Sequence, residues 1–359
     1  MTLILNDDDV SKALNMKDCV DVLESAFRDM GEGATVNASR RDSFMASHHP
    51  NAYYSFKTIE GGSERLGVMA QRINSDLITY PEVHGAARRV KVPIAPGNRY
   101  VGLVFLYSSE TLELLAIMND GHLQRMRVAG TTGVGAQHLA RRDAHVVALF
   151  GSGWQAETAA WALAAVRPLT TIRVFSPDRE HRESFCRKMA STLGIEVIPK
   201  ESADRAVRGA DIVATATNAH GSVVQGEWVE PGMHLTSIKR MEFDDEAWQK
   251  SNLIVFSSHG YSSIKSENPV LHTIRSGQDG KNKEEERLER YRRKTYFLSE
   301  LLMGRAPGRS SSEEITMFNK STGLGIEFAY VGKLVYDNAR AAGLGREIPT
   351  DWFSQTSHP

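Results

Sequence analysis

The sequence is poor in the residues that build covalent or metal frameworks, for its 359 residues include only two cysteines, Cys19 and Cys186. Two thiols make neither a disulfide framework nor a zinc site of their own, and each falls in an amphipathic helical pattern, which reads as a core position. Long apolar runs are missing as well. Nowhere do eighteen apolar residues follow one another, which argues against a membrane-spanning helix. Charge of one sign is also missing: Lys plus Arg number 43 against 44 for Asp plus Glu. That balance supplies no field for gathering nucleic acid or an anionic membrane, so neither is an expected partner. The start, MTLILNDDDVSKAL, has no basic segment before an apolar stretch, so a cytoplasmic location is expected. His-Glu-x-x-His, Gly-x-Ser-x-Gly and clustered Cys/His ligands do not occur, and no metal is expected.

What is there is an ordinary globular composition, 41% hydrophobic and 24% charged, in a chain long enough for two domains. Residues 16–30 space Val20, Leu23 and Phe27 as one helix face, stopped by Gly31 and Gly33. Between about 53 and 120 the segments YYSFKTI, RLGVMAQRI, YVGLVFLYS and LELLAIM predict a mostly antiparallel sheet. A helical stretch, HLQRMRVAGTTGVGAQHLARR, then leads into alternating strand and helix patterns: HVVALF, TIRVFS, IEVIP, DIVATAT, HLTSI and NLIVFSS, with helices between several of them. Such alternation predicts a doubly wound parallel sheet, an α/β Rossmann domain. The charged run 281–294 reads as a solvated helix face. ITMFNKSTGLGIEFAYVGKLVYDNARAAG reads as one long helix ending at Gly343 and Gly345.

GSGWQA at 151–156 follows HVVALF directly and opens a helix, the context in which G-x-G-x-x-A carries meaning. Gly151 permits the tight turn, Gly153 lets the backbone approach a pyrophosphate, and Ala156 lets the helix pack closely on the strand. Trp154 and Gln155 stand on the first turn, where unpaired N–H groups and the positive end of the helix dipole favour phosphate. The next strand ends at Ser176, where an acidic residue would select NAD by binding the ribose hydroxyls. Serine does not repel a 2′-phosphate, and Arg179 or Arg182 has the geometry to pair with one, so NADP is favoured over NAD. Asp178, reaching the ribose instead, is the competing reading. Thr215, Thr217 and Asn218 end the strand DIVATAT at the sheet edge where ligands bind. Arginines in or beside the strands of the first region, Arg40, Arg41 and Arg72, need an anion if buried. That anion is either a substrate carboxylate or an internal acid such as Asp76.

With AFRDMGEG, LQRMRVAGTTGVGAQHLAR, GSGWQA, EPGMHLTSI and EITMFNKSTGLGIEFA in this order, the chain resembles the ornithine cyclodeaminase/mu-crystallin family of nicotinamide-dependent enzymes. The resemblance implies that residues 1–126 and 315–359 form a substrate-binding and dimerisation domain, with a Rossmann domain, 127–314, inserted between them. It also implies a homodimer paired through the sheets of that domain. Carried over by position, it puts Arg127 at substrate or cofactor, Trp154 and Gln155 over the pyrophosphate, Ser176 at the ribose and Thr217 on the adenosine side. Ser237, Ile238 and Lys239 fall near the nicotinamide, Ser321 and Thr322 close the site, and Arg41 corresponds to the arginine for the substrate carboxylate.

Two departures from the family pattern bear on chemistry. The usual Gly-Val-Lys reads Gly67-Val68-Met69 here, with Arg72 the nearest cation on the strand. The family's longer catalytic loop after HLTSI is shortened to SIKRMEFDD, in which neither Asp244 nor Asp245 matches the catalytic aspartate. The expectation is therefore an NAD(P)-dependent reductase or dehydrogenase acting on the carbon–nitrogen bond of an imino acid, ketimine or amino acid. Arg41, Arg72 and Arg127 would hold the carboxylate, and Lys239 would supply a proton. A redox-neutral cyclodeaminase using bound NAD and a non-catalytic NADP-dependent ligand-binding protein are the alternatives.

Overall fold

The computed structural model describes residues 1–38, 40–83, 86–87, 90–219, 221–239, 241–258, 286–320 and 323–357. These fall into two compact units, 1–127 with 323–357 and 128–258 with 286–320. The chain begins with β1 (Thr2–Leu5), α1 (Asp7–Ala13) and α2 (Met16–Gly31). Asn6 and Asn15 cap the two helices through their side chains. Strands β2 (Thr35–Asn37), β3 (Arg41–Ala46), β4 (Ala52–Ser63), β5 (Val68–Thr79), β6 (Glu82–Val83), β7 (Ala86–Ala87), β8 (Val90–Val92), β9 (Val101–Ser108) and β10 (Leu114–Asn119) follow. Helix α3 (Asp120–Leu139) leads into β11 (Val146–Phe150), α4 (Trp154–Val166), β12 (Thr171–Phe175), α5 (Arg179–Leu193), β13 (Glu196–Pro199) and α6 (Ala203–Val207). Then come β14 (Ile212–Thr215), β15 (His234–Ser237), α7 (Asp245–Lys250), β16 (Leu253–Phe256), β17 (Thr295–Phe297), α8 (Leu298–Leu302) and β18 (Thr316–Asn319). Helix α9 (Gly325–Ala342) and β19 (Arg346–Ile348) complete the first unit.

The first unit is a sheet ordered β19-β1-β10-β9-β5-β4-β2, with β3 on β4 and β8 on β5. Its pairings are antiparallel apart from β1 with β10. Helix α9 packs against β4 and β5. Strand β5 alternates accordingly, with Val68, Ala70, Arg72, Asn74 and Asp76 buried and the residues between them half-buried. Three polar side chains in that buried row are unusual for a face that packs against a helix.

The second unit is an all-parallel sheet ordered β13-β12-β11-β14-β15-β18-β16-β17. The expected Rossmann architecture is present, and the strand order reverses between β11 and β14, the switch point where such sheets bind ligands. Val147, Leu149, Ile172, Val174, Ile212 and Ala214 pack with α4 and α5 on one side. Phe150, Val213, Leu235, Trp248, Phe256 and Met317 pack on the other.

The long helix expected from Ile315 onward is corrected. Residues 316–319 are a central strand, all four buried, and the helix starts at Gly325. This strand, Thr-Met-Phe-Asn, is buried at every position, so it lacks the period-2 alternation that marks a half-buried strand. The second unit therefore reaches past residue 315. Of the charged run, residues 281–285 lie outside the described residues, and Arg292–Lys294 form a 3-10 turn.

His234, on β15, is fully buried, with Nδ1 2.9 Å from the Thr316 hydroxyl, itself bonded to the Leu139 carbonyl. Burial, then the charges of Arg309 and Arg167, hold its pKa well below the ordinary 6.5. Folded and unfolded chains are both neutral at His234 above that value. Below it the unfolded chain takes up a proton that the folded chain refuses, so this group lowers stability as pH falls. His234→Gln is expected to flatten the fall of Tm between about pH 6.5 and 5; an unchanged slope would mean that other groups carry the acid sensitivity.

Candidate functional site

In the second unit the turn after β11 is shaped by its glycines. Gly151 adopts φ +112°, and a Cβ there would lie 2.5 Å from the Ala216 carbonyl oxygen, so only glycine fits. Gly153 caps α4 without any side-chain hydrogen bond to the helix, and a Cβ on it would meet none of the described residues within 4 Å. No side-chain hydrogen bond caps this 13-residue helix, and the space beside Gly153 at the switch point is open among the described residues, the setting a pyrophosphate requires. Trp154 is 65% exposed beside it, Gln155 keeps a buried Oε1 without a partner among the described residues, and Ala156 is packed in the core. The residues fit a dinucleotide.

Ser176, buried at the end of β12, accepts from the Ser152 hydroxyl at 3.1 Å. Arg182 donates to the Ser176 carbonyl and is itself buried, whereas Arg179 is exposed and pairs with Glu183 at 2.8 Å. Asp178 is committed as the cap of α5, accepting from the His181 N–H at 2.8 Å, and that backbone hydrogen bond lowers its pKa.

At the end of β14, Thr217 donates both its N–H and its hydroxyl to Glu242, which also accepts from the Thr215 hydroxyl at 2.9 Å. Burial raises the Glu242 pKa, against the pull of Thr217, Thr215 and Lys239. Ser237 donates to Asn319 Oδ1 at 2.6 Å, and Ile238 packs on the core. Lys239 is exposed and reaches the Ala219 carbonyl at 3.3 Å. Sequence reasoning missed Glu242 and Asn319. The one lies in a loop read for aspartates and the other in a segment read as helix. Asp244 caps α7 and holds the Gly226 N–H, while Asp245 pairs with Arg287, so both loop aspartates are committed to local structure. Ser321 and Thr322 lie outside the described residues.

In the first unit the buried face of the sheet carries ion pairs. Arg72, 5% exposed, donates Nε and Nη2 to Asp120 Oδ2 at 3.0 and 2.7 Å. Asn74 adds a third donor to the same oxygen at 3.1 Å. The cluster is tight, since a Cβ on Gly102 would come within 2.4 Å of Asn74 Nδ2 and 2.9 Å of Asp120 Oδ2. Arg127 on α3 donates to Glu327 at 2.6 Å and to Gln124 at 3.2 and 2.7 Å. Its pKa is lowered, first by burial, with Arg72 contributing. Both guanidinium groups lie over the Phe328 ring, at 5.7 Å for Arg72 and 4.8 Å for Arg127.

Asp76, the internal acid offered as one alternative for Arg72, instead takes Lys57 at 2.5 Å, with Lys91 2.9 Å from its other oxygen. Burial opposes ionisation of Asp76, and the two lysines outweigh it, lowering its pKa. Arg41 is not brought together with Arg72. It is exposed opposite Thr58, on the other face of the sheet from Asp42 and Lys57, while Arg40 pairs with Asp42 at 2.7 and 2.9 Å.

The ornithine cyclodeaminase/mu-crystallin family model matches residues 1–343. The chain is 27% identical to an alanine dehydrogenase of Archaeoglobus fulgidus, over 97% of this chain and 98% of that one. It is 24% identical to a Delta(1)-pyrroline-2-carboxylate reductase of Bacillus cereus, over 96% and 99%. The structure of the Thermococcus litoralis Delta(1)-pyrroline-2-carboxylate reductase in complex with NADH and L-proline superposes with a TM-score of 0.76 at 25% identity, covering 97% of this chain and 100% of that one. With the inserted Rossmann sheet, the glycine turn and this full-length match, the chain belongs to the ornithine cyclodeaminase/mu-crystallin family.

Proposed function

We propose that the protein is a nicotinamide-dependent oxidoreductase that moves hydride to or from the carbon of a carbon–nitrogen bond next to a carboxylate. The substrate class is an imino acid, a ketimine or the corresponding amino acid. The observation that carries this reading is the uncapped start of α4 at the switch point, with open space above Gly153. When bound, the nicotinamide supplies the hydride chemistry; the chain's own residues bind and orient. Trp154, Gln155 and the α4 N–H groups hold the pyrophosphate, and Glu242 fixes Thr217 through two hydrogen bonds on the adenosine side. Ser237 and Ile238 flank the nicotinamide, and Lys239 stands nearby as a proton source. Arg72 and Arg127 supply the cations for the substrate carboxylate. Commitment of Asp244 and Asp245 to local hydrogen bonds and ion pairs argues against the cyclodeaminase alternative. The same reading makes the protein a homodimer, with the sheet face that carries Met45, Phe56, Val101 and Tyr107, all exposed, meeting a second copy.

Screening cyclic imines, and 2-oxo acids with ammonia or amines, for net oxidation of NADPH or NADH tests the reading. Nucleotide binding without turnover of any of them would leave a ligand-binding protein in its place. NADPH is the expected preference, because Ser176 presents no carboxylate, Asp178 is spent on its helix and Arg179 is solvent-accessible. Ser176→Asp is then expected to invert the preference, by repelling the 2′-phosphate and binding both ribose hydroxyls. A wild type with the higher kcat/KM for NADH would assign the ribose to Asp178 instead.

A further inference from the structure

The Arg72–Asp120–Asn74 cluster is incomplete in a way that ordinary core packing does not explain. Asp120 accepts three N–H donors, all at Oδ2, and its Oδ1 is buried without a partner among the described residues. Asn74 turns its amide nitrogen to that carboxylate, as it must, since a carboxylate only accepts; its own Oδ1 is thereby left buried and, among the described residues, unpartnered too. The two residues are 3% and 5% exposed. Two unmatched acceptors joined by one hydrogen bond call for a donor with two N–H groups. Arg72, meanwhile, spends Nε and Nη2 on Asp120. Its Nη1 makes no hydrogen bond among the described residues.

We propose that Asp120 Oδ1 and Asn74 Oδ1 receive the substrate nitrogen, as a protonated imine or an ammonium, while Arg72 Nη1 takes the carboxylate on the adjacent carbon. The inference rests on the function proposed above and extends it to the nitrogen. A guanidinium beside a carboxylate is the charge complement of a zwitterion in which N and COO⁻ share one carbon. Holding the imine protonated matters chemically. The iminium carbon gains the hydride with its electron pair, the C=N π pair passes to nitrogen, and the cation becomes a neutral amine with no proton moving in that step. A 2-oxo acid would instead turn a carbonyl oxygen toward two acceptor oxygens, so the site selects imines over ketones.

Calorimetric titration of the full-length protein at saturating NADPH tests this with two matched pairs of probes. These are L-proline against its ring-oxygen analogue tetrahydrofuran-2-carboxylate, and L-alanine against L-lactate. Wild type is expected to bind at least one amino acid about ten- to hundred-fold tighter than its oxygen analogue, the range for a charged hydrogen bond. Asp120→Asn, which turns an N–H2 toward the ligand, is expected to abolish or reverse that ratio while leaving the nucleotide affinity unchanged. Asn74→Ala, which keeps the Arg72–Asp120 pair, is expected to reduce the ratio several-fold and decides the matter if the first variant fails to fold. Equal affinity for both members of each pair in wild type, no binding of either amino acid, or an unchanged ratio in the folded variants overturns the assignment. Failure of wild type to bind nucleotide at all would instead overturn the proposed function.

Discussion

Replacing Arg72 with Met is expected to lower stability by about 3–5 kcal/mol, the cost of leaving one member of a buried ion pair alone. For a unit of this size that corresponds to a Tm loss of roughly 6–20 °C. The cause is buried Asp120, which would keep only the Asn74 amide as a donor among the described residues. The folded fraction is also expected to lose about ten- to hundred-fold in kcat/KM for the imino acid, through a higher KM, with nucleotide binding untouched. The two losses are separable. In the double variant Arg72→Met/Asp120→Leu the pair is replaced by apolar side chains, which is commonly neutral or stabilising. That variant is expected to regain most of the lost Tm and none of the activity. Recovery of a normal KM along with the Tm would reduce Arg72 to a structural element and remove it from the site.

Arg72 also illustrates how much of this site was legible in the sequence. A cation in an apolar strand demands an anion, and that much follows from the strand alone. Which anion does not. Asp76 is the nearest acid with the same strand parity, but four residues of extended chain put it about 13 Å along β5. The true partner, Asp120, is 48 residues away on the first turn of α3 and arrives only through the β5–β9–β10 pairings. Arg41 went the other way. No strand was read before about residue 53, so β3 itself was missed; within it a one-residue change of parity decides which face a side chain joins, and the register with β4 turns Arg41 away from Lys57. The Rossmann strands were legible because buried parallel strands between amphipathic helices leave a strong local pattern. Strand β18 was not, since four buried residues next to a long helix carry no period of their own. Glu242 escaped because its significance lies in hydrogen bonds across the sheet edge to Thr215 and Thr217, which no local pattern records.

The glycine turn allows the sharpest separation of folding from binding. Gly153 has extended backbone, φ −98° and ψ −175°, which a β-branched residue adopts readily, and a Cβ there meets no atom of the described residues within 4 Å. Gly153→Val is therefore expected to fold, with a nucleotide-free Tm within about 1–2 °C of wild type. Its isopropyl group would occupy the space above the α4 N–H groups, so the dissociation constant for NADPH is expected to rise by about a hundred-fold or more, ~2.7 kcal/mol. The stabilisation that saturating nucleotide confers on wild type should vanish with it. Gly151→Val is the control with the opposite signature. Its φ of +112° is closed to valine and its Cβ would strike the Ala216 carbonyl at 2.5 Å, so the second unit itself is expected to be destabilised before any ligand is added. Calorimetry and thermal melts on both variants read the two effects independently. A folded Gly153→Val protein with wild-type NADPH affinity would place the pyrophosphate elsewhere and remove the dinucleotide from this turn.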